Sequence, residues 1–115
     1  MKVNYKKYGM SKARYQELAA FARQYSEFIQ LRAQYLSGSG AVDKDGTEAA
    51  DLKTKIELIE HCAKVACSDC PGIVKYLLQN VTEGTAYDRM NVPMYCEGFR
   101  LRRKLFFIEL NKHKK

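Results

Sequence analysis

The stretch VTEGTAYDRMNVPMYCEGFRLRRKLFFIEL, at positions 81–110, decides the fold. It reads as a short helix-forming run, a tight break at Asn91-Val92-Pro93, and a long helix-forming run opening with polar and basic residues. Proline at 93 disfavours helical backbone at Val92 and fixes its own φ near a helix-start value, so it separates two helices and primes the second. Upstream, Gly84 can end the preceding helix in a left-handed conformation, and Thr85 can cap a short helix over residues 86–90. This order predicts a helix-turn-helix at about residues 85–112, the arrangement whose second helix enters a DNA major groove.

The last helix, read from Met94 to about Lys112, has an unusual face pattern. Projected at about 100° per residue, Tyr95, Phe99, Phe106 and Leu110 share one face, while Leu101, Leu105 and Ile108 share the nearly opposite one. Glu97, Arg100, Lys104 and Asn111 form a polar strip between them. A helix apolar on two sides has to be covered on two sides, by the rest of the bundle and by either the first helix or a second subunit.

Working outward, residues 1–36 read as a long N-terminal helix. Ser11 is a good N-cap after Tyr8-Gly9-Met10, and Tyr15, Leu18, Phe21, Tyr25, Phe28 and Tyr35 follow the helical spacing. Residues 37–47 read as a flexible loop, marked by Ser37-Gly38-Ser39-Gly40 and Asp43-Lys44-Asp45-Gly46. Asp43, Asp45 and Gly46 share a fragment of a calcium-loop pattern, but a helix begins where further oxygen ligands should stand. Residues 48–115 form the helical core. Thr47 can cap a helix burying Leu52, Ile56, Ile59, Ala63 and Ala66, and a third helix from Pro71 to Asn80 buries Ile73, Val74, Leu77 and Leu78. No alternating strand-length run, repeat or low-complexity tract interrupts this, so the expected fold is all-α, a small helical bundle in one domain.

The chain has 115 residues, of which 46% are apolar, enough for one modest core, and a formal net charge of +7. The positive excess lies at the ends, with Lys2, Lys6, Lys7, Lys12 and Arg14 at the front and Arg100, Arg102, Arg103, Lys104, Lys112, Lys114 and Lys115 at the back. Such a balance favours an acidic partner such as nucleic acid or an anionic membrane surface. No apolar run approaches a membrane span and the first residues are too polar for a secretory signal, so a cytoplasmic protein is expected. Its four cysteines are then free thiols or metal ligands. His61, Cys62, Cys67 and Cys70 include one pair with the two-residue spacing of zinc ligands, but no second pair accompanies it. They read as core and loop residues, and no metal or cofactor is expected.

From end to end the chain resembles small proteins encoded by prophages and mobile elements of Gram-positive bacteria, among them phage-type transcriptional regulators. The matching segments are YGMSKARYQELAAFARQYSEF at 8–28, KIELIEHCAKVA at 55–66, and YLLQNVTEGTAYDRMNVP at 76–93 with FRLRRKLFFIEL behind it. The resemblance implies a C-terminal helix-turn-helix similar to region 4 of sigma factors. Ala86, Tyr87 and Met90 would sit on its first helix, and the recognition helix would begin after Val92-Pro93. Phe99 would be buried early in that helix, with Tyr95, Glu97, Arg100 and Arg102 around its solvent side. Met94-Tyr95-Cys96-Glu97-Gly98 departs from the Cys-Gly-type turn that related chains tend to carry after the proline.

The expected function is therefore that of a DNA-binding regulator acting on duplex DNA as a homodimer, with Tyr95, Glu97, Arg100, Arg102, Arg103 and Lys104 as the DNA-binding residues. Arginine forks can contact phosphates or the guanine edge, and Glu97 can accept from a cytosine amine. Arg103 projects beside the Phe99 and Leu110 face, where internal packing competes with DNA contact. The alternative is a helical protein-interaction module that docks RNA polymerase or a phage component without touching DNA. An enzyme is not expected, since His61 and His113 are the only imidazoles and neither lies in a catalytic signature.

Overall fold

The computed structural model describes residues 8–38 and 46–114, and every regular element among them is helical. α1 spans Lys12–Arg23, α2 Tyr25–Ser37, α3 Thr47–Ala66, α4 Val74–Glu83 and α5 Cys96–His113, with single 3-10 turns at Pro71–Ile73 and Tyr87–Arg89. The all-α expectation holds. Residues 39–45, with Asp43 and Asp45 of the calcium-like fragment, lie outside the described residues, as do Lys2, Lys6, Lys7 and Lys115.

Ser11 starts α1 as expected, its hydroxyl accepting from the Arg14 backbone N–H at 3.1 Å. The single long helix expected from there to residue 36 is broken at Gln24, whose φ of −85° and ψ of 0° leave the helical region. Neither glycine nor proline marks the break, and the spacing of Phe21, Tyr25 and Phe28 runs through it. Its cause is tertiary. α1 packs against α4 and α5, whereas α2 packs along α3, and the interruption lets the two halves serve different neighbours. Phe28 is thereby buried and the Tyr25 hydroxyl donates to Glu60 Oε2 at 2.6 Å.

α3 and α5 are the longest helices and pack side by side. Ile59, Cys62, Phe106 and Leu110 are fully buried along their contact, joined by Leu18 of α1 and Leu77 of α4. At one end Tyr8, Tyr15 and Phe107 form an aromatic cluster, with ring centroids 5.0 Å apart for Tyr8 and Tyr15 and 4.9 Å for Tyr15 and Phe107. Burial of such rings, with edge and tilted contacts, is a large share of what a core this size can offer.

The connection into α5 departs from the expected helix-turn-helix in one element. Residues 86–90 form a single 3-10 turn, with Arg89 N–H donating to Ala86 O at 3.0 Å and Met90 N–H to Tyr87 O at 3.2 Å. A five-residue α-helix would close one i→i−4 bond, too little to offset the cost of nucleating it. Thr85 does not cap this turn. It accepts instead from Gln79 Nε2 at 3.4 Å, while its carbonyl accepts from Asn80 Nδ2 at 2.9 Å. Gly46, not Thr47, occupies the cap position of α3.

Candidate nucleic-acid interface on the last helix

Pro93 separates two helical segments as expected, but α5 begins at Cys96, two residues later than Met94. Asn91 takes a left-handed φ of 51°, which Asn tolerates better than most residues, and so reverses the chain just before Pro93. The Tyr87 hydroxyl donates to Met94 O, and the Tyr87 ring lies 5.5 Å from that of Phe99. Met90 is buried below. The segment before α5 thus clamps the first turn of the helix against the core and leaves Tyr95 outside, 90% exposed.

The polar residues of α5 divide into two groups. Arg102 is drawn towards the end of α3: its Nη2 meets Asp69 Oδ2 at 2.7 Å and its Nε donates to Cys70 Sγ at 3.2 Å. Arg103 is drawn to the other flank, where Nε donates to Asn80 Oδ1 at 3.0 Å and the guanidinium stacks over Phe107 at 5.0 Å and Tyr15 at 5.7 Å. Both arginines brace α5 against the bundle. Among the described residues no ion pair or hydrogen bond occupies the side chains of Arg100 or Lys104. With exposed Glu97 they form a polar edge along the first half of the helix, and exposed Tyr95 stands at its head.

Beside that edge runs the second apolar stripe read from the sequence. Leu101 and Leu105 are exposed at 44% and 36%, and Ile108 is half-buried. α3, with α1 and α4, packs on the opposite, core-facing side of α5, and the outer stripe stays open to solvent at Leu101 and Leu105. Val92, Pro93, Met94 and Tyr95 line a shallow depression at the head of the same helix.

The cysteines do not gather around His61. Cys62 and Cys67 are buried, and burial pushes each thiol up to about 12, with nearby Glu109 adding to the shift at Cys62 and Cys70 at Cys67. These are neutral thiols at physiological pH, consistent with their reading as core residues. His61 faces the last turn of α5 instead, its ring 5.6 Å from that of His113. The sequence carried no sign of this meeting, because it depends on the register between α3 and α5.

No described helix is long and apolar enough to cross a membrane. Comparison with protein-family models, curated proteins and solved structures finds no match for this chain.

Proposed function

We propose that the protein is a DNA-binding transcriptional regulator of the phage type, acting in the cytoplasm, with α5 as the helix that docks on duplex DNA. The observation that carries this reading is the unengaged polar edge on the first half of α5, where Glu97, Arg100 and half-buried Lys104 lie on one side and exposed Tyr95 stands at the head of the helix. The N-terminal part of a recognition helix lies deepest in the major groove and later turns meet the phosphate walls. Tyr95 and Glu97 therefore address base edges, while Arg100 and Lys104 address phosphates. Arg102 and Arg103, engaged within the fold, hold the helix at its docking angle rather than contact DNA. The net charge of +7 supplies the long-range attraction such an encounter needs. The test is a binding titration of the wild-type protein and of Arg100→Ala with Lys104→Ala against prophage promoter DNA and an unrelated duplex.

A second reading rests on Leu101, Leu105 and Ile108. An apolar stripe beside a polar edge fits a protein partner, either a second copy of the chain or a component such as RNA polymerase. Dimerisation through the stripe is compatible with DNA binding, since paired regulators read paired half-sites.

A further inference from the structure

The two histidines of the chain stand 52 positions apart in sequence yet meet on one side of the bundle. His113 lies one helical turn after Glu109 on α5, and its Nε2 is 2.7 Å from Glu109 Oε2. His61 projects from α3 and meets the His113 ring edge-on at 83°. One potential ligand atom from each of His61, Glu109 and His113 lies within 4.8 Å of the others. We propose that these three residues form a binding site for a divalent transition metal ion, with zinc as the best-matched ion.

The donor set selects the metal class. Two imidazoles and one carboxylate are the ligands of zinc sites that keep a position open to water, and imidazole also suits nickel, copper and cobalt. Magnesium and calcium prefer oxygen ligands, of which this cluster offers a single carboxylate. Bonds of about 2.0–2.1 Å in a tetrahedron place neighbouring ligand atoms roughly 3.4 Å apart. The His113 and Glu109 atoms are already closer than that, and the imidazole of His61 has to close by at most about 1.4 Å, within reach of a side-chain rotation.

The frame around the cluster is rigid where it matters. α3 and α5 are packed against each other along their length, with fully buried Cys62 adjoining His61 and fully buried Leu110 adjoining Glu109. The i, i+4 spacing of Glu109 and His113 fixes both on one face of α5. Lys112 Nζ, 3.6 Å from Glu109 Oε1, holds the second carboxylate oxygen and leaves Oε2 for the metal. On binding, lone pairs of two neutral imidazoles and one carboxylate oxygen form the metal bonds, and the hydrogen bond between His113 Nε2 and Glu109 Oε2 breaks, the ring keeping its one proton on Nδ1. The ion would tie the last turn of α5 to α3. This site does not depend on the DNA-binding reading.

Calorimetric titration of tag-free, chelator-stripped, reduced protein with zinc chloride tests the site. The expected result is saturation at one equivalent with a rise in Tm, and at least tenfold weaker binding in each of His61→Ala and His113→Ala. Both histidines are exposed, so these variants should keep the wild-type circular dichroism spectrum. Cobalt substituted for zinc should give a visible spectrum without a thiolate charge-transfer band, and Cys70→Ser should bind as wild type does. No saturable binding, binding that persists unchanged in both histidine variants, or binding abolished by Cys70→Ser would each overturn the proposal.

Discussion

Arg103 on α5 reaches across to Asn80 on α4, donating from Nε to Oδ1 at 3.0 Å while its guanidinium plane covers Phe107 and Tyr15. A cation in the middle of the most basic segment thus serves the fold. Arg103→Ala should destabilise the protein by about 1–3 kcal/mol, from the lost hydrogen bond to a charged group and the lost cation–π contact. Arg100→Ala, at an unengaged surface position, should change stability by no more than about 0.5 kcal/mol. Urea unfolding of the two variants separates these roles, and equal effects would contradict the division of α5 into bracing and free cations.

Gly84 ends α4 with a φ of 74°, and a Cβ at that position would stand 2.3 Å from a guanidinium nitrogen of Arg23. Gly84→Ala should therefore cost about 1–2 kcal/mol from left-handed backbone strain, plus displacement of Arg23. A companion Arg23→Ala change should recover the second part only. Full recovery in the double variant would mean that the backbone conformation carries no strain.

The buried thiols and Tyr25 set an alkaline limit on stability. Cys62 and Cys67 rise from an ordinary 9.0 to about 12 and Tyr25 from 10.0 to about 12, through burial in each case and, for Tyr25, the hydrogen bond to Glu60. The folded state favours the protonated groups, so their contribution is fully present below pH 9 and is lost as the pH climbs from about 9 towards about 12. Denaturant unfolding at a series of pH values should show stability falling across that window. Cys62→Ala should make the fall shallower, and a flat profile up to pH 11 would count against burial of these groups.

The stripe of Leu101, Leu105 and Ile108 should drive self-association if a second copy covers it. Sedimentation of the wild-type protein should then give a dimer at micromolar concentration, and Leu101→Glu with Leu105→Glu should give a folded monomer. A monomeric wild type would leave the stripe to a different protein.

Much of this architecture was legible because local chemistry and tertiary packing agree. Ser11 caps α1, Gly84 ends α4, Pro93 separates two helical segments, and the two apolar faces of α5 follow directly from residue spacing. The break at Gln24 was hidden because no local residue requires it; it arises from the different neighbours of α1 and α2. The 3-10 turn at Tyr87–Arg89 was overestimated as a helix because capping residues mark where a helix can start, not whether it is long enough to persist. At the candidate interface, Tyr95 projects with Phe99 on the core side yet is exposed, because it stands at the cap before α5 with extended backbone, while exposure of Glu97 and Arg100 was readable from the face pattern. The capture of Arg102 by Asp69 and Cys70 was not, since it joins residues more than thirty positions apart.

The salt dependence of duplex binding tests the central claim most directly. Each phosphate contact contributes about 0.9 to the slope of log affinity against log salt. Binding should be salt-sensitive, with a slope that flattens by about one unit in Arg100→Ala and again in Lys104→Ala, on target and unrelated duplexes alike. Glu97→Ala should instead alter preference at one base position by about 1–3 kcal/mol. Folded wild-type protein that binds no duplex at low salt, or whose slope is untouched by both cation substitutions, would contradict the account.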